Sequence, residues 1–245
     1  MSSASYIRFE LLRTFRNRRF FLFSFGFPLV LYFLIAAPNR HVHSLNRSGI
    51  SAPLYYMVGL AAFGSMNAML ATGARIAAER QVGWNRQLRT TPLTPRTYFR
   101  AKVLTAYVVA VGSLVLLALA GTVLGVRLPA HEWLRMGWLM LVGLIPFAVI
   151  GVAIGHLVAA DSIGPVIGGT LALFAFLGGV WFPISGSGTL HDIAQALPSY
   201  WLVQAAHVAL GGGGWTSRGW LVVAAWTAAM LVVAVRAYRR DTARA

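Results

Sequence analysis

Apolar and polar positions fall along this chain in long blocks rather than in the short rhythm of a soluble helix. Six apolar stretches stand out, at residues 20–37, 53–74, 103–126, 136–158, 164–181 and 220–235. Most come close to the ~20 residues that an α-helix needs to cross the hydrocarbon core of a bilayer. The pattern therefore predicts an all-α polytopic membrane protein with six transmembrane helices. The second stretch is rich in small residues, among them Gly59, Gly64 and Gly73. It is expected inside the bundle, because small residues let helices approach closely. The glycine pairs Gly121/Gly125, Gly151/Gly155 and Gly164/Gly168 read as further packing sites.

The polar blocks between these stretches carry the rest of the information. Residues 5–19 form an amphipathic leader. Ile7, Leu11, Leu12 and Phe15 share one arc of a helical wheel, while Glu10, Arg13, Thr14 and Asn17 face away from it and Arg8 falls on the apolar arc. Such a segment is expected to lie in the headgroup layer as an interfacial helix, with Arg8, Arg13 and Arg16 reaching toward phosphates. A long polar lead, a span-length apolar run and Pro38 after Ala36-Ala37 describe a retained anchor rather than a cleaved signal. Residues 183–210 are too polar and too broken, by Pro198 and glycines, for an ordinary span. Ile193, Ala194, Leu197, Trp201, Leu202, Ala205 and Val208 nonetheless recur at helical spacing. Two short helices forming a re-entrant hairpin before the last span fit that pattern, shielded from lipid because irregular backbone survives at depth only there.

Charge then orients the chain. The 245 residues are 58% hydrophobic and 11% charged, with a net charge of +15. Soluble domains carry about 25% charged residues. Sixteen of the 21 Lys and Arg residues fall on the side that would hold both termini and the loops after spans two and four. That bias places both termini in the cytoplasm of a bacterial plasma membrane protein. Topology and lipid headgroups account for the basic residues without invoking nucleic acid. Seven of these cations lie in the single segment 75–102, with Glu79 as its one carboxylate.

Candidate chemistry is sparse. Without cysteine there is no disulfide or thiolate site. His41-x-His43 lacks neighbouring ligands. His131-Glu132 fails as a zinc-protease motif, since Arg135 stands where the second histidine belongs, so no metal site is expected. The sole lysine, Lys102, lies in no phosphate-binding loop, so no ATPase site is expected in this chain. The carboxylates appear outside or at the ends of spans, which argues against an ion-coupled carrier. Gly186-Ser187-Gly188 near His191 leaves an intramembrane hydrolase as a paper alternative.

One family matches this arrangement. Glu79, Gly83, Leu88, Arg89, Pro92 and Leu93 resemble the Glu…Gly…Leu-Arg-x-x-Pro-Leu run between the second and third spans of ABC-2 type transporter permeases. Gly179, Phe182 and Pro183, followed by Leu197-Pro198 and Leu210-Gly211, resemble the re-entrant region of the same family; Ser199, Tyr200 and Trp201 depart from its usual pattern. The resemblance implies a single transmembrane domain over residues 1–245, the membrane subunit of an exporter. Residues 75–102, with Glu79, Arg80, Gly83, Leu88, Arg89, Pro92 and Leu93, would be its ATPase-coupling segment. ATP and Mg would be bound by a separate ABC ATPase subunit, with no cofactor in this chain. A second permease subunit, identical or not, would complete the pathway. Aromatic- and methionine-rich spans point to a lipophilic drug, antibiotic or lipid-like cargo.

Overall fold

The computed structural model describes residues 3–45, 49–83, 94–184, 188–211 and 214–243. Among them the fold is all helical. The leader forms α1 (Ser3–Phe15). The first apolar stretch is built from α2 (Arg18–Phe21), a π-helical turn (Leu22–Gly26) and α3 (Phe27–Ala36). Then come α4 (Ala52–Gln81) and α5 (Pro95–Val123), followed by α6 (Ala130–Gly143) and α7 (Ile145–Leu157). The last third comprises α8 (Ile163–Leu177), α9 (Thr189–Gln195), α10 (Pro198–Gln204), a 3₁₀ turn (Ala205–Leu210) and α11 (Ser217–Ala243).

Among the described residues, four helical stretches are long and apolar enough to cross a membrane. They are α4, α5, the nearly continuous α6–α7 run and α11. The first and fifth apolar stretches form shorter apolar helices, Leu22–Ala36 and Ile163–Leu177. Helix ends also differ from the apolar blocks. α4 continues to Gln81 and α5 begins at Pro95, so much of the polar segment 75–102 is helix. Charged residues extend these helices without interruption because Arg, Lys and Glu are good helix formers.

The π turn has an identifiable cause. Pro28 lacks an N–H, and its ring crowds the carbonyl four residues back, that of Ser24. The widened turn relieves that crowding, and the freed Ser24 carbonyl accepts a hydrogen bond from Ser113 Oγ of α5 at 3.3 Å. Asn67 Nδ2 of α4 donates to Ser24 Oγ at 3.1 Å. The kink thus ties the first helical stretch to both helices of the central hairpin.

α4 is the centre of the bundle, buried on nearly all sides. Its small residues make this possible. A Cβ on Gly73 would lie 2.5 Å from the carbonyl oxygen of Gly151 in α7, and one on Gly151 would lie 2.5 Å from that of Met69. Both are backbone contacts with no flexible atom to yield. Gly73→Val should therefore lower the melting midpoint of the purified chain, at a cost of about 1–3 kcal/mol. An unchanged midpoint would mean that α4 and α7 do not meet there.

The stretch before α11 contains the two short helices that its periodicity predicts. Leu197 is extended (φ −104°, ψ 139°) and Pro198 opens α10. The break is satisfied by tryptophan: Trp226 Nε1 donates to the Ala196 carbonyl at 2.8 Å, and Trp201 Nε1 to that of Gln195 at 3.0 Å. Trp215 Nε1 donates to the Trp201 carbonyl at 2.6 Å. Indole N–H groups here occupy carbonyls that the break leaves without helical partners.

Candidate functional site

The polar face of α1 turns inward. Tyr6, Glu10 and Thr14 recur at i, i+4 and i+8 and are all buried, whereas Phe9, Leu12 and Phe15 are exposed. Leu12 and Phe15 of the apolar arc thus face outward, and the arc with the carboxylate packs on α4 and α5. Arg8 and Arg16 remain exposed. Arg13, half-exposed itself, reaches the bundle.

What it reaches is a buried cluster of charge. Lys102, in the second turn of α5, is fully enclosed, and Glu10 and Glu79 are 1% and 3% exposed. Lys102 Nζ donates to Glu10 Oε1 at 2.7 Å and to Glu79 Oε1 at 2.5 Å. Arg13 donates to Glu79 Oε1 at 2.9 Å, and the Tyr98 hydroxyl to Glu79 Oε2 at 2.6 Å. Arg75 lies 3.8 Å from Glu10 Oε1 and donates to the hydroxyls of Thr14 at 2.7 Å and Thr72 at 3.3 Å. Its guanidinium also sits over the Phe20 ring at 5.6 Å. Two buried carboxylates therefore face the buried Lys102 and the partly buried Arg75, with Arg13 at the rim. Tyr6, Ile76, Tyr98 and Ala101 form a small apolar cluster beside them.

The choice of cation follows from shape. Lys102 is the one lysine in a chain with twenty arginines. An ammonium is a compact point charge with three rotatable donors, whereas a guanidinium is a planar fork. The former bridges carboxylates from two different helices without the planar alignment that a guanidinium requires. Such a cluster adds little net stability, because desolvation offsets most of the Coulomb attraction. Its effect is geometric. Removing one member leaves a buried charge unpaired, so α1, α4 and α5 are held in one arrangement.

Arg80 points the other way. Its Nε lies 2.8 Å from Asp241 Oδ2 of α11, and its NH1 donates to the Gly155 carbonyl at 2.9 Å. His156 Nδ1 is 3.0 Å from the same Asp241 oxygen. Glu79 and Arg80, adjacent in sequence, thus fasten the end of α4 to opposite neighbours. Gly83 follows with φ +69° and open space around it, turning the chain out of the helix. Thr94 Oγ1 caps α5, accepting from Thr97 N at 3.3 Å. Of the expected coupling residues, Leu88, Arg89, Pro92 and Leu93 lie outside the described residues, as does Ser187 of the hydrolase alternative.

Several of the interacting residues were not singled out by sequence reasoning. In the sequence Glu10 is one member of the polar arc of α1, and Lys102 one cation of the segment 75–102. Glu79, four residues after Arg75, pairs with Lys102 and Arg13. Glu79 stands in the last turn of α4, at the end of that helix, and is enclosed there. The sequence signal for Lys102 was its uniqueness and its place at the start of an apolar run.

The remaining candidates lie at the opposite end. Tyr55, in the first turn of α4, donates its hydroxyl to the Gly179 carbonyl. From there to Glu79 is about 36 Å along the helix. Phe182 is exposed, Pro183 and Leu197 are half-buried and Pro198 is buried.

Comparison with known proteins agrees with this architecture. Residues 41–236 match the family described as ABC-2 family transporter protein. The chain is also similar to a protein of Bacillus subtilis (strain 168) named "Putative transport permease YvfS". The two are 27% identical over 238 residues, covering 96% of each.

Proposed function

This chain belongs to the ABC-2 family of transporter proteins, and on that premise we propose that it is the membrane subunit of an ATP-driven exporter. Its role is that of a transport permease. ATP and Mg would be bound by separate ABC ATPase subunits that dock on the segment between α4 and α5. A lipophilic drug, antibiotic or lipid-like molecule would be the cargo. Both termini and residues 82–94 would face the cytoplasm, in keeping with the sixteen basic residues on that side.

Six spans remain the best account of the helices. From Arg18 to Ala36 the helical stretch rises about 28 Å, close to the ~30 Å hydrocarbon core. α8 is shorter, and the turn after it, packed under Tyr55 and Ser199, would complete its crossing. The short helices α9 and α10 would then form the re-entrant outer region.

The observation that carries the reading is the Glu10–Lys102–Glu79 cluster. It joins both helices flanking the proposed docking segment to α1. A displacement of that segment by an ATPase would therefore move α1, α4 and α5 together, and α4 runs the depth of the bundle. This is how ATP-driven closure on one side would reach the outer region near Tyr55.

Because α4 is packed on nearly all sides among the described residues, the proposal includes a second permease subunit to complete the pathway. The free face of α8 suits that contact. Gly164, Gly168 and Gly169 have nothing within 4 Å of a hypothetical Cβ, and Val166, Leu173 and Phe176 beside them are exposed. Gly151 and Gly155, by contrast, are consumed by packing within the chain. Gly168→Trp should convert a detergent-solubilised dimer to monomer in multi-angle light scattering, while a dimer of unchanged mass would move the seam elsewhere.

Transport itself tests the function. Inside-out vesicles carrying the chain and its ATPase should accumulate a lipophilic fluorescent dye on addition of ATP, and Ser187→Ala should leave this unaffected. Uptake driven by a proton gradient without ATP would favour a secondary carrier. Loss of activity with Ser187→Ala would favour the hydrolase.

A further inference from the structure

A groove on the outside of the bundle is an apolar feature not used above. It encloses about 490 Å³ between α5, α7 and α11. α7 forms its floor with Val149 and Val152, while Val103 of α5 and Leu231 and Val235 of α11 form the walls. It offers almost no hydrogen-bonding surface. The one hydroxyl near its far end, that of Tyr107, is already donated to the Leu141 carbonyl at 3.1 Å. An apolar chain fits such a lining, and a polar ligand does not.

The end nearest the charge clusters is built differently. Phe99 and Tyr238 meet edge to face at 5.3 Å, and His156 packs against both, at 5.9 and 5.4 Å. Each of the first two is followed in sequence by an exposed arginine: Arg100 after Phe99, in depth between Phe99 and Val103, and Arg239 after Tyr238, one residue nearer the basic end. Toward the basic end the order is apolar lining, then an aromatic rim flanked by the two arginines. A phospholipid presents a matching order, acyl chain and then glycerol with its phosphate. Tyrosines favour that interfacial depth, and arginines flanking it reach headgroup phosphates.

We propose that this groove binds an anionic phospholipid of the leaflet on the basic side of the protein, with one acyl chain against Val149, Val152 and Val235 and its headgroup on Arg100 and Arg239. The charge of the rim selects the headgroup, and the groove holds the tail. A bound lipid would also fill the gap between α5 and α11, joining the hairpin that carries Lys102 to the helix that carries Asp241. The inference rests on the membrane assignment and on neither the cargo nor the ATPase.

Native mass spectrometry of the delipidated full chain, titrated with phosphatidylglycerol or phosphatidylcholine, tests it. One phosphatidylglycerol should be retained per chain, roughly thirtyfold more tightly than phosphatidylcholine, as two arginine–headgroup contacts imply. Arg100→Gln with Arg239→Gln should abolish that preference and leave phosphatidylcholine binding unchanged. Val235→Trp, which fills the groove from its wall, should abolish retention of both lipids, and Val149→Phe from the floor should do the same. Equal lipid retention by wild type and either filled variant would overturn the proposal. So would an absence of headgroup preference in the wild type. A filled variant that keeps its lipid but loses its dimer would assign the groove to a second copy instead.

Discussion

Lys102→Met is expected to lower the unfolding free energy of the purified chain by about 3–5 kcal/mol, the usual cost of breaking a buried ion pair from one side. Lys102 is fully enclosed and is the atom-level bridge between two carboxylates from different helices. Methionine fills nearly the same volume, so the loss is electrostatic rather than steric. Glu10 and Glu79 would then face each other without the ammonium between them, and one would have to take up a proton or draw in water. Lys102→Met with Glu10→Gln should recover much of that loss, because Glu79 keeps Arg13 and Tyr98 while Arg75 keeps its threonine hydroxyls. The coupling between the two substitutions should amount to about 1–3 kcal/mol. Denaturant or thermal unfolding in mild detergent reads both values. Strictly additive losses would mean that the two side chains do not interact.

Glu79→Ala should cost about as much, ~3–5 kcal/mol, and should have the larger functional consequence. Three donors converge on this carboxylate, from α1, from the first turn of α5 and from Lys102. Its removal leaves Tyr98 and Lys102 without their acceptor and frees the end of α4 from α1. ATP hydrolysis by the partner should then continue while transport falls, which is the signature of a broken lever. Arg80→Ala provides the comparison. Its pair with Asp241 is partly solvated, with both side chains about one-quarter exposed, so the loss should be about 1–2 kcal/mol. If the two variants behave alike in ATPase and transport assays, the cluster around Glu79 has no special role in coupling.

The helical class and the family were legible from hydropathy blocks and from a few ordered motifs. Apolar periodicity also gave the broken pair of helices at Pro198, because proline fixes the break wherever the helices lie. The charge cluster was not legible. Lys102 and Glu10 are 92 residues apart, and no local period connects them. The helical wheel of α1 grouped Glu10 with Thr14, but hydropathy says nothing about which face meets protein when the surroundings are lipid. In a bilayer the apolar arc goes outward, and the polar arc, with Glu10 and Thr14, is free to pack inward. Helix ends differ from the apolar blocks for a related reason. Hydropathy ends a span at the first cluster of charge, whereas α4 carries its helix through Arg75, Glu79 and Arg80 because those charges find partners on α1, α5 and α11. The glycine pairs looked alike in sequence. Only three-dimensional placement distinguishes Gly151 and Gly155, spent on α4, from Gly164 and Gly168, left open on α8.

The account stands or falls on a separate ATPase engaging the segment between α4 and α5. The direct measurement is affinity purification of the full chain from its native membrane in mild detergent, as wild type and as Glu79→Ala, with assay of the eluate for ATPase activity and its subunit. A nucleotide-binding subunit that co-purifies with the wild type, and whose association or substrate-stimulated hydrolysis weakens with Glu79→Ala, is the predicted result. A wild-type chain that elutes alone, from membranes in which its neighbours are present, would contradict it.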